Sequence, residues 1–333
     1  MTAARLALLE SFDEHRVVLL ICVCYVLVGG AVLAGLGRPR PFSVMNFWFL
    51  GNWAAASTLW LSWEYLRHPR RFWSALEPAR LAGSVMMALV FVPFQATFQA
   101  LKQAIGPVIG FRFDRPFATL DAFLHGGDAW RLLDPLLVTA PGVWVLDVAY
   151  SLWFAVLNVT LLWLCWSGDR PLRRRALVAF TWLWIAGGTL GAAVGASAGP
   201  CYYDKVTGNG RFVPLLRQLD AQSTADGMPL KARALQAWAW NPSGDDMWAQ
   251  FAGISAMPSM HVALAVFVAI VAWNTSRPLG ATLWLYALLI QVGSVALGWH
   301  YAVDGYAGAV IAWVVWVLSR PGARKGRRVT SAE

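Results

Sequence analysis

This chain is short of charge and short of the residues that hold metals or crosslinks. Only 14% of its 333 residues are charged, and it has five histidines and four cysteines. Cys22 and Cys24 lie inside one apolar run, where a helix points them to different faces; Cys165 and Cys201 stand apart. That spacing excludes a disulfide framework and a zinc site. No internal repeat is visible, which weighs against the symmetric architecture common in transporters. No small-residue cleavage site follows the first apolar run, and Glu10, Asp13 and Glu14 precede it. That run is expected to be retained as a span rather than removed as a signal peptide.

What fills the space is apolar. The hydrophobic share is 58% before glycine is counted, with 20 tryptophans. Ordinary soluble domains reach about 45–50% with glycine included. The profile predicts an all-α integral membrane protein. Eight apolar runs are long enough, or nearly so, to cross the hydrocarbon as helices: 17–37, 42–66, 81–101, 143–166, 177–198, 257–273, 281–299 and 303–319.

The net charge of +9 suggests nucleic acid only until the basic residues are placed. Arg67, Arg70, Arg71 and Arg80 follow the second run, and Arg170, Arg173, Arg174 and Arg175 the fourth. Arg277 follows the sixth, and Arg324, Lys325, Arg327 and Arg328 the eighth. With eight spans these fall on one side, which the positive-inside rule makes cytoplasmic, along with both termini. Arg38 and Arg40 are mild exceptions. Two longer loops, 102–142 and 199–256, are left outside. The second holds Trp238, Trp240 and Trp248 around KARALQAWAW. These either anchor at the interface or form a lid over a lipid entrance.

Three polar clusters fall on that outer side, at the ends of apolar runs. In GWHYAVDGYAG, four residues separate His300 from Asp304. If the eighth helix begins near Trp299, both lie on one face, one turn apart. A carboxylate accepting from one imidazole nitrogen fixes the tautomer and leaves the other nitrogen free. The plainer reading is a buried polar pair joining two helices. In MPSMH, Pro258 suits a first helical turn, with Ser259 and His261 beside the free amides that favour anions. The plainer reading there is a capping serine and an incidental histidine. GPCYYDKVTGNGR supplies Tyr202, Tyr203, Lys205 and Arg211, whose two cations suit phosphate oxygens. A loop with interfacial tyrosines explains it equally.

Taken together, Pro258-Ser259-x-His261 and His300-x3-Asp304 resemble the second and third signatures of the type 2 phosphatidic acid phosphatase superfamily. HYAVDGYAG, GPCYY and FRFDRPFATLDAFLHGG (111–127) look most like its inositol phosphorylceramide synthase branch. The resemblance covers roughly 81–319. It implies a six-helix core, with 1–80 as a two-helix addition and 320–333 as a basic cytoplasmic tail. Two positions depart from the pattern. Lys205-x5-Arg211 is one residue short of the usual first signature and lacks its proline. Ser294 stands where the third signature carries arginine. Lys102, Arg112 and Arg115 are candidates to supply the missing charge.

The resemblance implies His300 as nucleophile, Asp304 as its orienter and His261 as general acid and base. It implies Ser259, Lys205, Arg211 and Tyr203 on the phosphate, with Tyr202 at a remove. No carboxylate cluster suited to a divalent ion accompanies the histidines, so the chemistry is expected to need neither metal nor cofactor. The partners implied are a lipid phosphate or phospholipid substrate, a polar alcohol or water acceptor, and membrane lipids, not nucleic acid. The setting expected is a bacterial inner membrane with the site on the extracytoplasmic face. A competing class is a glycosyltransferase using a polyprenyl-phosphate sugar, with Asp114 or Asp121 as its base. That class gives no reason for paired histidines.

Overall fold

The structure, a computed structural model, describes residues 3–38, 44–67, 69, 78–137, 139–225, 229–240 and 253–320. Among them it is all-helical. The main helices are α1 (Ala3–Gly35), α2 (Val44–Arg67), α3 (Pro78–Ile109), α4 (Asp114–His125), α5 (Ala140–Trp166) and α6 (Arg170–Val194). There follow α7 (Val213–Ala225), α8 (Lys231–Trp240), α9 (Met260–Trp273), α10 (Arg277–Ala296) and α11 (Ala302–Leu318). The eight predicted runs coincide with α1, α2, α3, α5, α6, α9, α10 and α11. Backbone groups in lipid must satisfy one another within the segment, and helix formation does this.

Leu9–Gly35, Pro78–Ile109, Pro141–Trp166, Arg170–Val194 and Arg277–Ala296 are long and apolar enough to cross a membrane. The protein is therefore an integral membrane protein. α9 has 14 residues, a length of about 21 Å at 1.5 Å per residue. It does not need to match the bilayer, because its residues from Val262 to Ala272 are all buried against neighbouring helices. α9 is the centre of the bundle, packed on α10, α11, α5 and α6.

Three arginines of α6 lie at one end of the bundle. Arg170 pairs with Glu10 at 2.7 Å, and Arg173 pairs with Glu14 and reaches the Ser167 carbonyl. These bonds fasten α1 to α6. Arg175 lies over the Trp316 ring at 3.7 Å and donates to the Trp316 carbonyl, fastening α6 to α11. The Glu10–Glu14 stretch that precedes the first apolar run is thereby helical too, which moves the start of α1 well ahead of residue 17.

The stretches read as loops carry more structure than their composition suggested. α3 runs to Ile109 with Pro107 inside it, and α4, α7 and α8 occupy much of the remainder. Trp248, Arg40, Arg70, Arg71, Arg324, Lys325, Arg327 and Arg328 lie outside the described residues.

Candidate active site

The three polar segments converge at the end of the bundle away from Arg170, Arg173 and Arg175, held by backbone hydrogen bonds. Cys201 N–H donates to the Gly298 carbonyl at 2.9 Å, and Ala256 N–H to that of Ser197 at 2.8 Å. Ser259 N–H donates to the Asp304 carbonyl at 2.9 Å. The approach is too close for side chains at some positions. A Cβ on Gly308 would stand 2.5 Å from the Ser259 oxygen, and one on Gly305 would overlap the Gln291 amide. Gly199 has φ +93°, a left-handed backbone that glycine adopts without strain, and it faces the Trp299 carbonyl.

His300 is not on a helix. α11 begins at Ala302 with Tyr301 as its N-cap, so the expected one-turn helical pairing gives way to a loop-to-helix contact. The reason is local. Tyr301 N–H donates to Asp304 Oδ2 at 3.0 Å, drawing the carboxylate back to the helix start. His300 Nδ1 faces the same Oδ2 at 3.4 Å, longer than the 2.7–2.9 Å of a tight charge-assisted bond. His300 N–H and Trp299 N–H both donate to the Ser294 carbonyl, at 3.1 and 3.0 Å. Ser294 thus positions the histidine loop through its backbone. His300 and Asp304 are both buried.

His261 is the second residue of α9. Pro258 lies before the cap rather than in the first turn, and Ser259 is the N-cap, accepting from Val262 N–H at 3.5 Å. The capping reading of Ser259 therefore holds. His261 is walled by aromatic rings: Tyr150 stacks on it at 4.5 Å and Trp153 lies at 4.4 Å. The Trp153 indole donates to the His261 carbonyl at 3.0 Å. The ring centroids of His261 and His300 are 6.0 Å apart. That separation lets one ring attack a phosphorus atom while the other reaches its leaving oxygen. A small recess beside His300 is lined by Tyr301, Asp121, Pro200, Phe212 and Val295, among others.

The expected phosphate cations are differently placed. Lys205 is exposed, with its ammonium over Trp240 at 4.7 Å and Tyr202 at 5.8 Å. Arg211 pairs with Asp128 at 2.6 Å. Burial alone would lower the Arg211 pKa, but the Asp128 hydrogen bond and charge outweigh it and raise it. Arg115 donates to the Thr207 carbonyl, and Arg112 is exposed. Tyr203 packs on Phe212, and the Tyr202 hydroxyl donates to the Gln236 carbonyl. Lys102, on α3, is a partly buried cation whose stem packs beside Gly253.

Both aspartates offered as a glycosyltransferase base are engaged in holding backbone. Asp114 accepts from Ala198 N–H and Gly199 N–H, each at 2.8 Å, and from the Tyr301 hydroxyl at 2.8 Å. Asp121 accepts from Val303 N–H at 3.1 Å, at the start of α11. Burial pushes both carboxyls above the ordinary aspartate range, with these hydrogen bonds pulling the other way. Burial, with the Asp114 charge and bond, raises the Tyr301 phenol, so it stays a donor.

Sequence reasoning missed four residues. Tyr150 and Trp153, which wall His261, are two aromatics in a run full of them, and nothing local sets them apart. The Tyr150 hydroxyl is buried with no hydrogen-bond partner among the described residues. Asp147, near the start of α5, accepts from Lys231 N–H and Ala232 N–H and so fixes the start of α8. Gln236 of α8 donates to the Leu297 carbonyl, so this tryptophan-bearing helix is fastened along its length.

A family model described as the PAP2 superfamily matches residues 115–318, from the start of α4 to the end of α11. No curated protein matches the chain, and no solved structure does.

Proposed function

This chain belongs to the PAP2 superfamily, and from that premise we propose that it is a lipid-phosphate phosphotransferase or phosphatase working through a phosphohistidine on His300. The observation that carries the proposal is the pairing of two histidines, 6.0 Å apart between centroids, with one carboxylate facing one of them.

In this reading Asp304 holds the His300 Nδ1 proton and leaves Nε2 to attack phosphorus in line. The P–N bond forms as the P–O bond to the leaving group breaks. His261 gives its proton to the departing alkoxide, then takes one from the incoming water or alcohol. That second attack breaks the P–N bond and frees His300. The amides at the start of α9 and the Lys102 ammonium face the charge that gathers on the equatorial oxygens. Lys102 takes the place first given to Lys205 and Arg211, whose side chains are engaged with Trp240 and Asp128. The synthase-like segments favour transfer of a polar headgroup such as phosphoinositol to a lipid alcohol, at the extracytoplasmic face. With Asp114 and Asp121 bound to backbone amides, the glycosyltransferase reading loses its base.

The test is to incubate the reconstituted protein with a lipid labelled in its phosphate and to look for acid-labile label on His300. Label on wild type and none on His300→Ala supports the mechanism. Turnover by His300→Ala ends it. Product analysis with and without candidate alcohols then separates transfer from hydrolysis.

A further inference from the structure

α4 has three distinct faces. Asp114, Ala118, Asp121 and His125, at helical spacing, point into the protein. Arg115 and Thr119 form an exposed polar flank. The third face is apolar and bare: Leu120 is 44% exposed, Leu124 55% and Phe123 82%. Exposed apolar side chains gathered on one face mark a surface that meets something other than water.

The position of α4 says what that is. It follows α3 after a turn at Gly110, and Arg112 N–H and Phe113 N–H donate to the Ala196 carbonyl just beyond the end of α6. Asp121 binds the first turn of α11. The helix therefore lies level with the ends of two helices long enough to span, α3 and α6, and with the start of α11. At its C-terminal end, His125 Nε2 meets the Tyr306 hydroxyl at 2.9 Å. Tyr306 heads the exposed stripe of α11 that continues through Val310 and Trp313. The C-terminal end of α4 thus stands beside the exposed stripe of α11.

We infer that α4 is an interfacial membrane helix, its Leu120, Phe123 and Leu124 face seated among the acyl chains of the adjacent leaflet while its aspartates hold the His300–Asp304 loop. The leaflet is then part of the scaffold that holds the site at the level of lipid headgroups.

The experiment uses the full chain with Cys22, Cys24, Cys165 and Cys201 replaced, in phosphatidylcholine vesicles. Single cysteines at Phe123, Leu124 and Thr119 carry a nitroxide, and collisions with oxygen and with a water-soluble nickel chelate are compared. Oxygen should dominate at Phe123→Cys and Leu124→Cys, and the chelate at Thr119→Cys. Chelate access at Phe123→Cys equal to that at Thr119→Cys overturns the inference. Labels at Phe123→Cys and Leu124→Cys that are immobile and shielded from both reagents also overturn it, since a second protein surface then covers this face. A functional arm rests on the phosphotransfer reading, and the labelling arm does not. Phe123→Glu with Leu124→Glu should lower turnover of a bilayer-embedded lipid phosphate about tenfold, the worth of one apolar side chain's burial. A short-chain soluble ester should be turned over about as before. Absence of turnover by the unmodified chain counts against the phosphotransfer reading and leaves the labelling result standing.

Discussion

The two histidines are held in opposite ways. His300 lies on a loop, oriented by hydrogen bonds to its backbone and a carboxylate facing its ring. His261 lies on a helix, oriented by the aromatic walls of Tyr150 and Trp153. A neighbouring carboxylate suits a ring that becomes positive when it bonds to phosphorus, because the charge is met where it forms. Aromatic walls fix a ring without claiming its nitrogens, which suits one that gives and takes a proton. On the proposed mechanism the difference matches each histidine to its step without appeal to the order of residues along the chain.

The sharpest way to break that comparison is to exchange the proposed roles. His300→Ala should lower turnover about 10⁴-fold or more and abolish labelled protein, as loss of a nucleophile does. Asp304→Asn should lower it about 10³–10⁴-fold, because the amide no longer fixes the imidazole tautomer. His261→Ala should cost about 10²–10⁴-fold with an alkyl leaving group. With an activated aryl leaving group, His261→Ala should regain the first step and accumulate the phosphohistidine, detectable as stable label. Equal losses with both leaving groups would remove the acid role from His261.

Smaller effects sharpen the picture further. Lys102→Met should lower kcat/KM about 10–100-fold, the worth of a hydrogen bond to a charged group, with Lys102→Arg restoring part of it. Trp153→Phe keeps the aromatic wall but removes the donor to the His261 carbonyl. It should lower kcat up to about tenfold and leave KM unchanged. A change in KM alone would show that the wall shapes substrate binding instead.

The apolar runs were legible because lipid imposes one solution on the backbone, and length and hydropathy suffice to see it. His261, His300 and Asp304 were legible because polar residues at span ends stand out against their surroundings. The loop position of His300 was not, because Tyr301 at an N-cap is outside the Ser, Thr, Asp and Asn pattern that announces a helix start. Nor was the work of Asp114, Asp121 and Asp147. Each binds backbone N–H groups more than 80 residues away, and an amide donor has no sequence identity to be read. Lys205 and Arg211 looked free only because Trp240 and Asp128 are distant in the chain.

The Asp114–Tyr301 bond joins residues 187 positions apart, and the Asp121–Val303 bond joins residues 182 apart. During synthesis the aspartates emerge early and their partners at the start of α11 emerge late. Until the last hairpin inserts, α4 has nothing at its far end to hold. The reactive loop is thus completed by the final spans, and a partly made chain in the membrane carries no assembled site to act on the lipids around it.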